Sequence, residues 1–420
     1  MKKRFLAIAM MLAMAIPMQA HAEGTVLTMM ENASESDSII KAMREIVEEF
    51  NATNEYGVTI EMENLANADY KAKISTVMAA DSEPDIFYTW ELGYLGNFVN
   101  GGKAVDLQEY LDADPDWANS FRSGVLEPLS YDGDVYGIPS AMTCAMMYYN
   151  TEIFEEQGIE VPTTIEELEA ACDKLLEAGI TPIAVGGSPE DAWLVSEFIQ
   201  ELANGIAGYD LYESLVNGTG SWNDPAFVQA GELLQSWIDK GYFEEGFTGV
   251  GNTESSNMFG MGMSAMYYNG GWCNATFDDE TVTDQAGKIS VFPMPAFDAA
   301  NSGTIVGSTN RAYAISKNCQ NVDAAVAFLK FLTSKESQEK LTYDYSIIPS
   351  TQLDIDRSKL TDLAAQTIDL IGAQEHLTAW FDRVDTNMGN EFNNSSNAIA
   401  NGEDVQATFD ALQEFYENQK

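Results

Sequence analysis

The sequence predicts an α/β protein organised as two domains. Three observations carry that reading. Short apolar strand patterns alternate with helical ones from residue 26 onward, the alternation restarts after Pro139, and the chain runs to 420 residues. That length exceeds what one compact hydrophobic core accommodates and suits two. Strand and helix in alternation are the rhythm of a mostly parallel sheet with helices packed on it.

The first 22 residues stand outside this pattern. Lys2, Lys3 and Arg4 lead an apolar run over residues 5–16, and Ala20-His21-Ala22 forms a small-x-small site. This is the layout of a secretory leader, with an apolar run too short for a stop-transfer helix. The mature chain is expected to begin at Glu23. The first cysteine is Cys144, so no lipid anchor on the mature N-terminus is expected, and no later segment has the length and polarity of a membrane helix.

Residues 26–29 read as a strand. Ile39, Ile40, Met43, Ile46, Val47 and Phe50 then mark one face of a helix, and residues 58–62 form the next strand. A helix through Ile74, Val77 and Met78 stops before Pro84, and Asp85-Ile86-Phe87-Tyr88 is a third strand. The second unit follows Tyr136-Gly137-Ile138-Pro139. Its first helix carries a capping box, Thr164 with Glu167, and is closed by Gly179. Asp224-Pro225 starts another helix, expected to reach Lys240. Residues 265–268 form a strand leading into Asn269-Gly270-Gly271-Trp272, residues 311–315 another, and Val322, Val326, Leu329 and Leu332 lie on one helical face. Residues 362–381 and 405–416 read as helices, and the Asn- and Ser-rich stretch 387–401 as a surface loop with a short helix.

Composition narrows the function classes. The formal charge is -45, and -48 without the three leading cations. Such a surface repels nucleic acid phosphates and anionic membranes. Cys144, Cys172, Cys273 and Cys319 are widely spaced without a metal-like cluster, and a fold of this size needs no disulfide staple. Free thiols are expected, with Cys172 on the buried face of its helix. His376 is the only histidine of the mature chain and sits in a helical pattern. No HExxH motif, phosphate loop, dinucleotide fingerprint or nucleophile elbow is present. Gly186-Gly187 reads as a loop. Asp278-Asp279-Glu280 lacks the alternation of a calcium loop and reads as solvated acid. With 66 acidic residues, no pair is singled out for glycosidase chemistry. No catalytic residue, metal site or cofactor is assigned.

Tryptophan is more informative. Trp90, Trp193, Trp272 and Trp380 each have polar neighbours: Glu91, Asp191, Asn269 and Asp382. A flat indole buries the apolar face of a sugar ring, while carboxylates, amides and guanidinium groups bind the rim of hydroxyls.

Several stretches carry a resemblance. They are Pro84-Asp85-Ile86-Phe87-Tyr88-Thr89-Trp90, the run 102–111, Tyr136-Gly137-Ile138-Pro139 leading to Met147-Tyr148-Tyr149-Asn150, Pro162-Thr163-Thr164, the run 262–272, and Tyr313-Ala314-Ile315-Ser316 with its following helix. In this order they resemble the extracellular solute-binding proteins of ABC sugar importers, the family of the maltose-binding and raffinose-type oligosaccharide-binding proteins. The resemblance implies the two-lobed, type II periplasmic-binding-protein-like α/β fold, with extra C-terminal helices and a ligand cleft between lobes. It implies lobes of 23–140 with 311–348 and of 141–310 with 349–420, crossing near residues 139–145, 307–310 and 348–350. It further implies a monomer that is periplasmic, or extracellular in a single-membrane organism, and that takes a carbohydrate to the permease subunits. Trp90, Trp272 and Trp380 match the family's stacking aromatics, and Trp193 lies in a loop that reaches the ligand. Glu91, Asn269, Arg311 and Asp382 are the polar candidates, Arg311 equally a hinge brace. A peptide or polyamine binder, or a glycoside-processing enzyme, remain alternatives.

Overall fold

The computed structural model describes residues 25–35 and 37–419, and the leader read over residues 1–22 lies outside them. Strands β1 (Thr25–Asn32), β2 (Val58–Leu65) and β3 (Ile86–Thr89) run parallel in the order β2-β1-β3. The helices Ser38–Thr53 and Asn67–Ala79 connect them. All six apolar residues read on the first helical face are buried, because a 3.6-residue period directs them to one side.

A hairpin of β4 (Ser130–Tyr131) and β5 (Asp134–Val135) precedes the long strand β6 (Ile138–Asn150). Beyond it come β7 (Thr181–Ala184), β8 (Ser264–Gly270), β9 (Ile289–Phe292), β10 (Thr304–Ile315), β11 (Ile348–Pro349) and β12 (His376–Thr378). The main sheet has the order β2-β1-β3-β10-β6-β8-β7. Two long antiparallel strands therefore run through the whole molecule. β10 pairs with β3 at residues 312–315 and with β6 at residues 307–310 and 312–313. β6 continues into pairing with β8 and β9, and β11 adds to its Ala141–Met142 edge. One apolar core gathers residues from Leu27 to Ala141 together with residues from Ala312 to Ile347. Another gathers residues from Ala145 to Val306 with residues from Ala379 to Leu412. The segments read as crossings thus lie side by side, hydrogen-bonded to one another, between two cores.

Local signals set several helix ends. The Thr164 hydroxyl accepts the Glu167 amide at 3.2 Å, while the Glu167 carboxylate reaches back to the amide of Thr163, one residue earlier than the standard box. At the other end Gly179 (φ +74) and Ile180 donate to Leu176 and Leu175, closing the helix as a Schellman motif. Asp224 caps the helix Pro225–Lys240 through the Ala226 amide at 2.9 Å.

Tertiary contacts overrule local pattern in three places. The helix expected over residues 362–381 ends at Ala373, because residues 376–378 add as β12 to the edge of β10. His376 is therefore an exposed strand residue rather than a helical one, stacked on Tyr209 at 4.1 Å. The stretch expected to be mostly loop is the 15-residue helix Thr386–Ala400. Asp385 caps its amides, and buried Met388, Phe392 and Ile399 outweigh the weak helix propensity of Asn and Ser. Asp278 is not free solvated acid, since it accepts from Ser346 Oγ at 2.6 Å and Thr361 Oγ1 at 2.7 Å.

All four cysteines are free and buried. Burial also raises the Cys172 thiol pKa, lowering its thiolate fraction. Cys172 is expected to resist a maleimide in the native protein and to label after denaturation, which mass spectrometry of the labelled peptide checks.

The second core encloses ionisable groups on the helix Ala192–Ala207. Glu201 accepts the Val306 amide at 2.7 Å, and burial pushes its pKa up to about 8. Burial likewise raises Glu244 to about 7. Both hold their protons in the folded state at pH values where the unfolded chain has released them. Between the ordinary carboxylate range and pH 8, stability falls as pH rises. Glu201→Gln keeps an acceptor for Val306 and is expected to flatten this decline, a difference of order 4 kcal/mol at most. Urea melts of both proteins at pH 5 and pH 8.5 measure it.

Candidate binding site

The chain leaving β3 places Trp90 and Glu91 at the strand's carboxyl end, where ligands of α/β sheets sit. Trp90 is 7% exposed and braced edge-on by Tyr88, Tyr70 and Tyr94 at 4.9, 5.9 and 4.7 Å. The Lys71 ammonium lies 5.0 Å from its ring centre. Glu91, 1% exposed, receives Arg383 Nη1 at 2.8 Å. This ion pair joins the end of β3 to the short helix Phe381–Val384, whose Phe381 belongs to the other core. Leu92 adopts φ +55, unfavourable for a side chain with a Cβ, and turns the chain into the helix Gly93–Asn100. Gly93 then lies so close to Val384 that a Cβ would stand 2.4 Å from its carbonyl oxygen.

From Arg383 the contacts continue without a break. Its guanidinium lies 4.1 Å from the Trp380 ring centre, a cation–π arrangement. Trp380 meets Trp272 at 5.8 Å, and Trp272 meets Trp193 at 5.9 Å. Trp193 stands in the first turn of the helix Ala192–Ala207 rather than in the expected loop. Its indole donates to Asp191 Oδ1 at 3.2 Å, and Asp191 Oδ2 accepts the Asn252 amide at 2.8 Å. Trp272, Trp193, Asp191, Asp382 and Lys71 are partly exposed, whereas Trp380 is 1% exposed. Aromatic faces and charged groups of both signs thus form one continuous patch from one core to the other.

The charges are mutually adjusted. Burial works to lower the Arg383 pKa, but Glu91 and Asp382 raise it and prevail. Lys71 is lowered, chiefly by burial, with Asp382 and Asp191 opposing and Arg383 assisting. Lys71 therefore feels charges carried by the opposite core. Among the described residues no cluster of His, Cys, Asp and Glu is placed to hold a metal ion, and no helix is long and apolar enough to cross a membrane.

Comparison with known proteins decides the family. The pattern of the bacterial extracellular solute-binding proteins matches residues 33–339. The chain belongs to that family. A binding protein of Brucella abortus is 27% identical to this solute-binding protein over 311 residues, covering 73% of the chain and 71% of the relative. The xylose/arabinose-binding protein XacG of Haloferax volcanii is 22% identical over 307 residues, 72% of the chain and 64% of the relative. A solved structure from work on xylan utilisation by Caldanaerobius polysaccharolyticus superposes with a TM-score of 0.86 at 27% identity, covering 93% of this chain and 99% of that one. The raffinose complex of RafE gives a TM-score of 0.76 at 22% identity over 94% and 100%. The two-lobed architecture implied by the sequence resemblance is the observed one.

Six of the eight residues named from the sequence, Trp90, Glu91, Trp193, Trp272, Trp380 and Asp382, meet in this patch. Two do not. Asn269 is fully buried and spent internally: its Nδ2 donates to Asn252 Oδ1 at 2.8 Å and to the Tyr267 hydroxyl, and its Oδ1 accepts the Gly270 amide at 2.8 Å. Arg311, 8% exposed, pairs with Glu31 and lies 5.4 Å from the Tyr88 ring centre. Glu91 and Trp380 are occupied as well, one by Arg383 and the other by core packing. Gly270 is extended (φ -89), and its missing Cβ makes room for the Trp272 ring, which would lie 2.1 Å from it. Arg383 and Lys71 were missed. Arg383 had one signal, a scarce cation three residues beyond Trp380, whereas Lys71 looks like any solvent-facing helix lysine.

Proposed function

We propose that this solute-binding protein captures a carbohydrate of oligosaccharide size between its lobes and hands it to the permease of an ABC importer. The observation that carries the reading is the run Trp193–Trp272–Trp380, joined through Arg383 and Glu91 to Trp90 of the other lobe. The partly exposed indole faces of Trp193 and Trp272, backed by the buried Trp380, cover the CH surfaces of sugar rings, and Asp191, Asp382 and Lys71 supply donors and acceptors for the hydroxyls. Likeness to proteins described with xylan, chitin oligosaccharide and raffinose supports a sugar over a peptide or polyamine. The lobes are taken as residues 23–140 with 311–348 and 141–310 with 349–420. The paired strands β6, β10 and β11 between them are the proposed hinge.

Thermal-shift screening tests the reading with xylo-, chito- and raffinose-type oligosaccharides, with spermidine and a short peptide as the contrary panel. A matching sugar at 100 times Kd is expected to stabilise the protein by about 2.7 kcal/mol. X-ray scattering of that complex is expected to show a smaller radius of gyration at unchanged mass. A shift with spermidine or peptide and none with any sugar would overturn the assignment.

A further inference from the structure

Arg122 stands apart in a strongly acidic protein. The sequence holds 66 acidic residues against 21 basic ones, so a guanidinium readily finds a carboxylate. Among the described arginines, Arg44 pairs with Glu35, Arg311 with Glu31, Arg357 with Asp369 and Arg383 with Glu91. No described carboxylate lies within 4 Å of Arg122. Its Nε donates to the Thr351 carbonyl at 3.2 Å, leaving both terminal amino groups available. Arg122 is only partly exposed, and burial lowers its pKa with no carboxylate opposing. An incompletely hydrated, unpaired guanidinium is a costly arrangement, and an anion relieves the cost.

The surroundings have the shape of a site. Arg122 lines a depression of about 330 Å³ with Phe121, Ser123, Leu126, Glu127 and Gln352. The Arg122 amide donates to the Ser350 carbonyl at 2.9 Å, and the Gln352 amide to Ser120 at 2.7 Å. Gln352 Nε2 also ties to the Asn119 and Phe121 carbonyls at 3.1 and 2.9 Å. The floor is therefore the segment that follows β11, a strand lying between the two cores, and the lining contains none of the residues of the tryptophan patch. Glu127 is exposed on the rim. Its charge disfavours a dianion while offering an acceptor to a hydroxyl.

We propose that this depression is a second ligand site, distinct from the sugar patch, that takes a small monoanionic hydroxycarboxylate. The carboxylate pairs with the Arg122 guanidinium, and the hydroxyl donates to the rim carboxylate of Glu127. The test titrates the full protein with glycolate and, separately, with inorganic phosphate, by calorimetry at constant ionic strength. Glycolate is expected to bind one saturable site, more tightly than phosphate. Arg122→Gln is expected to weaken glycolate about tenfold or more, while Arg357→Gln leaves it unchanged. Glu127→Gln, on the exposed rim, is expected to strengthen phosphate binding relative to glycolate. Absence of saturable glycolate binding, equal binding by Arg122→Gln, or an unaltered phosphate-to-glycolate ratio in Glu127→Gln would each overturn the proposal.

Discussion

Trp272→Ala is expected to weaken oligosaccharide binding by roughly 5- to 150-fold, or ~1–3 kcal/mol, with little change in the urea melt. The indole is partly exposed and rests on Trp193 and Trp380, so truncating it removes a contact face more than core volume. Trp380, at 1% exposure, provides the contrast. Its truncation is expected to cost ~3–5 kcal/mol of stability because it opens a cavity in the second core. A subtler variant separates the presence of the ring from its placement. Gly270→Ala would put a methyl group 2.1 Å from the indole and drive the ring from its seat. Affinity should fall although no aromatic is lost. Calorimetric titration paired with a urea melt reads each case. A collapsed melt for Trp272→Ala, with normal binding per folded molecule, would return that residue to the core.

Glu31→Gln is expected to destabilise the protein by ~3–5 kcal/mol, since it leaves the buried Arg311 charge without its counter-ion. Glu31 is fully buried, and its second oxygen accepts the Tyr313 hydroxyl at 2.7 Å. Arg311 occupies a left-handed backbone position (φ +53) in β10, between pairs of β10 with β6. Non-glycine residues there cost ~1–3 kcal/mol unless their surroundings hold them. The Arg311 carbonyl accepts from Ser140 Oγ at 3.0 Å, which fixes the strand on the β6 side. Replacing both partners, Glu31→Gln with Arg311→Met, is expected to recover much of the loss, because no charge then remains buried and unpaired. Arg357→Ala breaks an exposed pair with Asp369 and is expected to change the melt by no more than about 1 kcal/mol. Denaturant midpoints of the three variants and the parent measure these differences.

What the sequence determined by itself is local and periodic. Apolar residues at intervals of about 3.6 or 2 specified the helix Ser38–Thr53, the helix Pro225–Lys240 and the parallel strands β1 to β3. Thr164, Gly179 and Asp224 marked helix ends because their chemistry acts within a few residues. Trp90, Trp193, Trp272 and Trp380 were legible as candidate residues because large aromatics beside polar neighbours are conspicuous in any chain. Tertiary structure decided what depends on distant partners. Glu91 meets Arg383 across 292 positions, and no local pattern records that meeting. The pairing of residues 376–378 with β10 overrode a helical period, and burial of Met388, Phe392 and Ile399 overrode the Asn- and Ser-rich composition around them. Asn269 and Arg311 have the side chains of ligand-binding residues, yet the fold turned both inward, to Asn252 and to Glu31. A polar side chain pairs with whatever group the fold brings within about 3 Å, and that neighbour is chosen by the packing of the whole molecule.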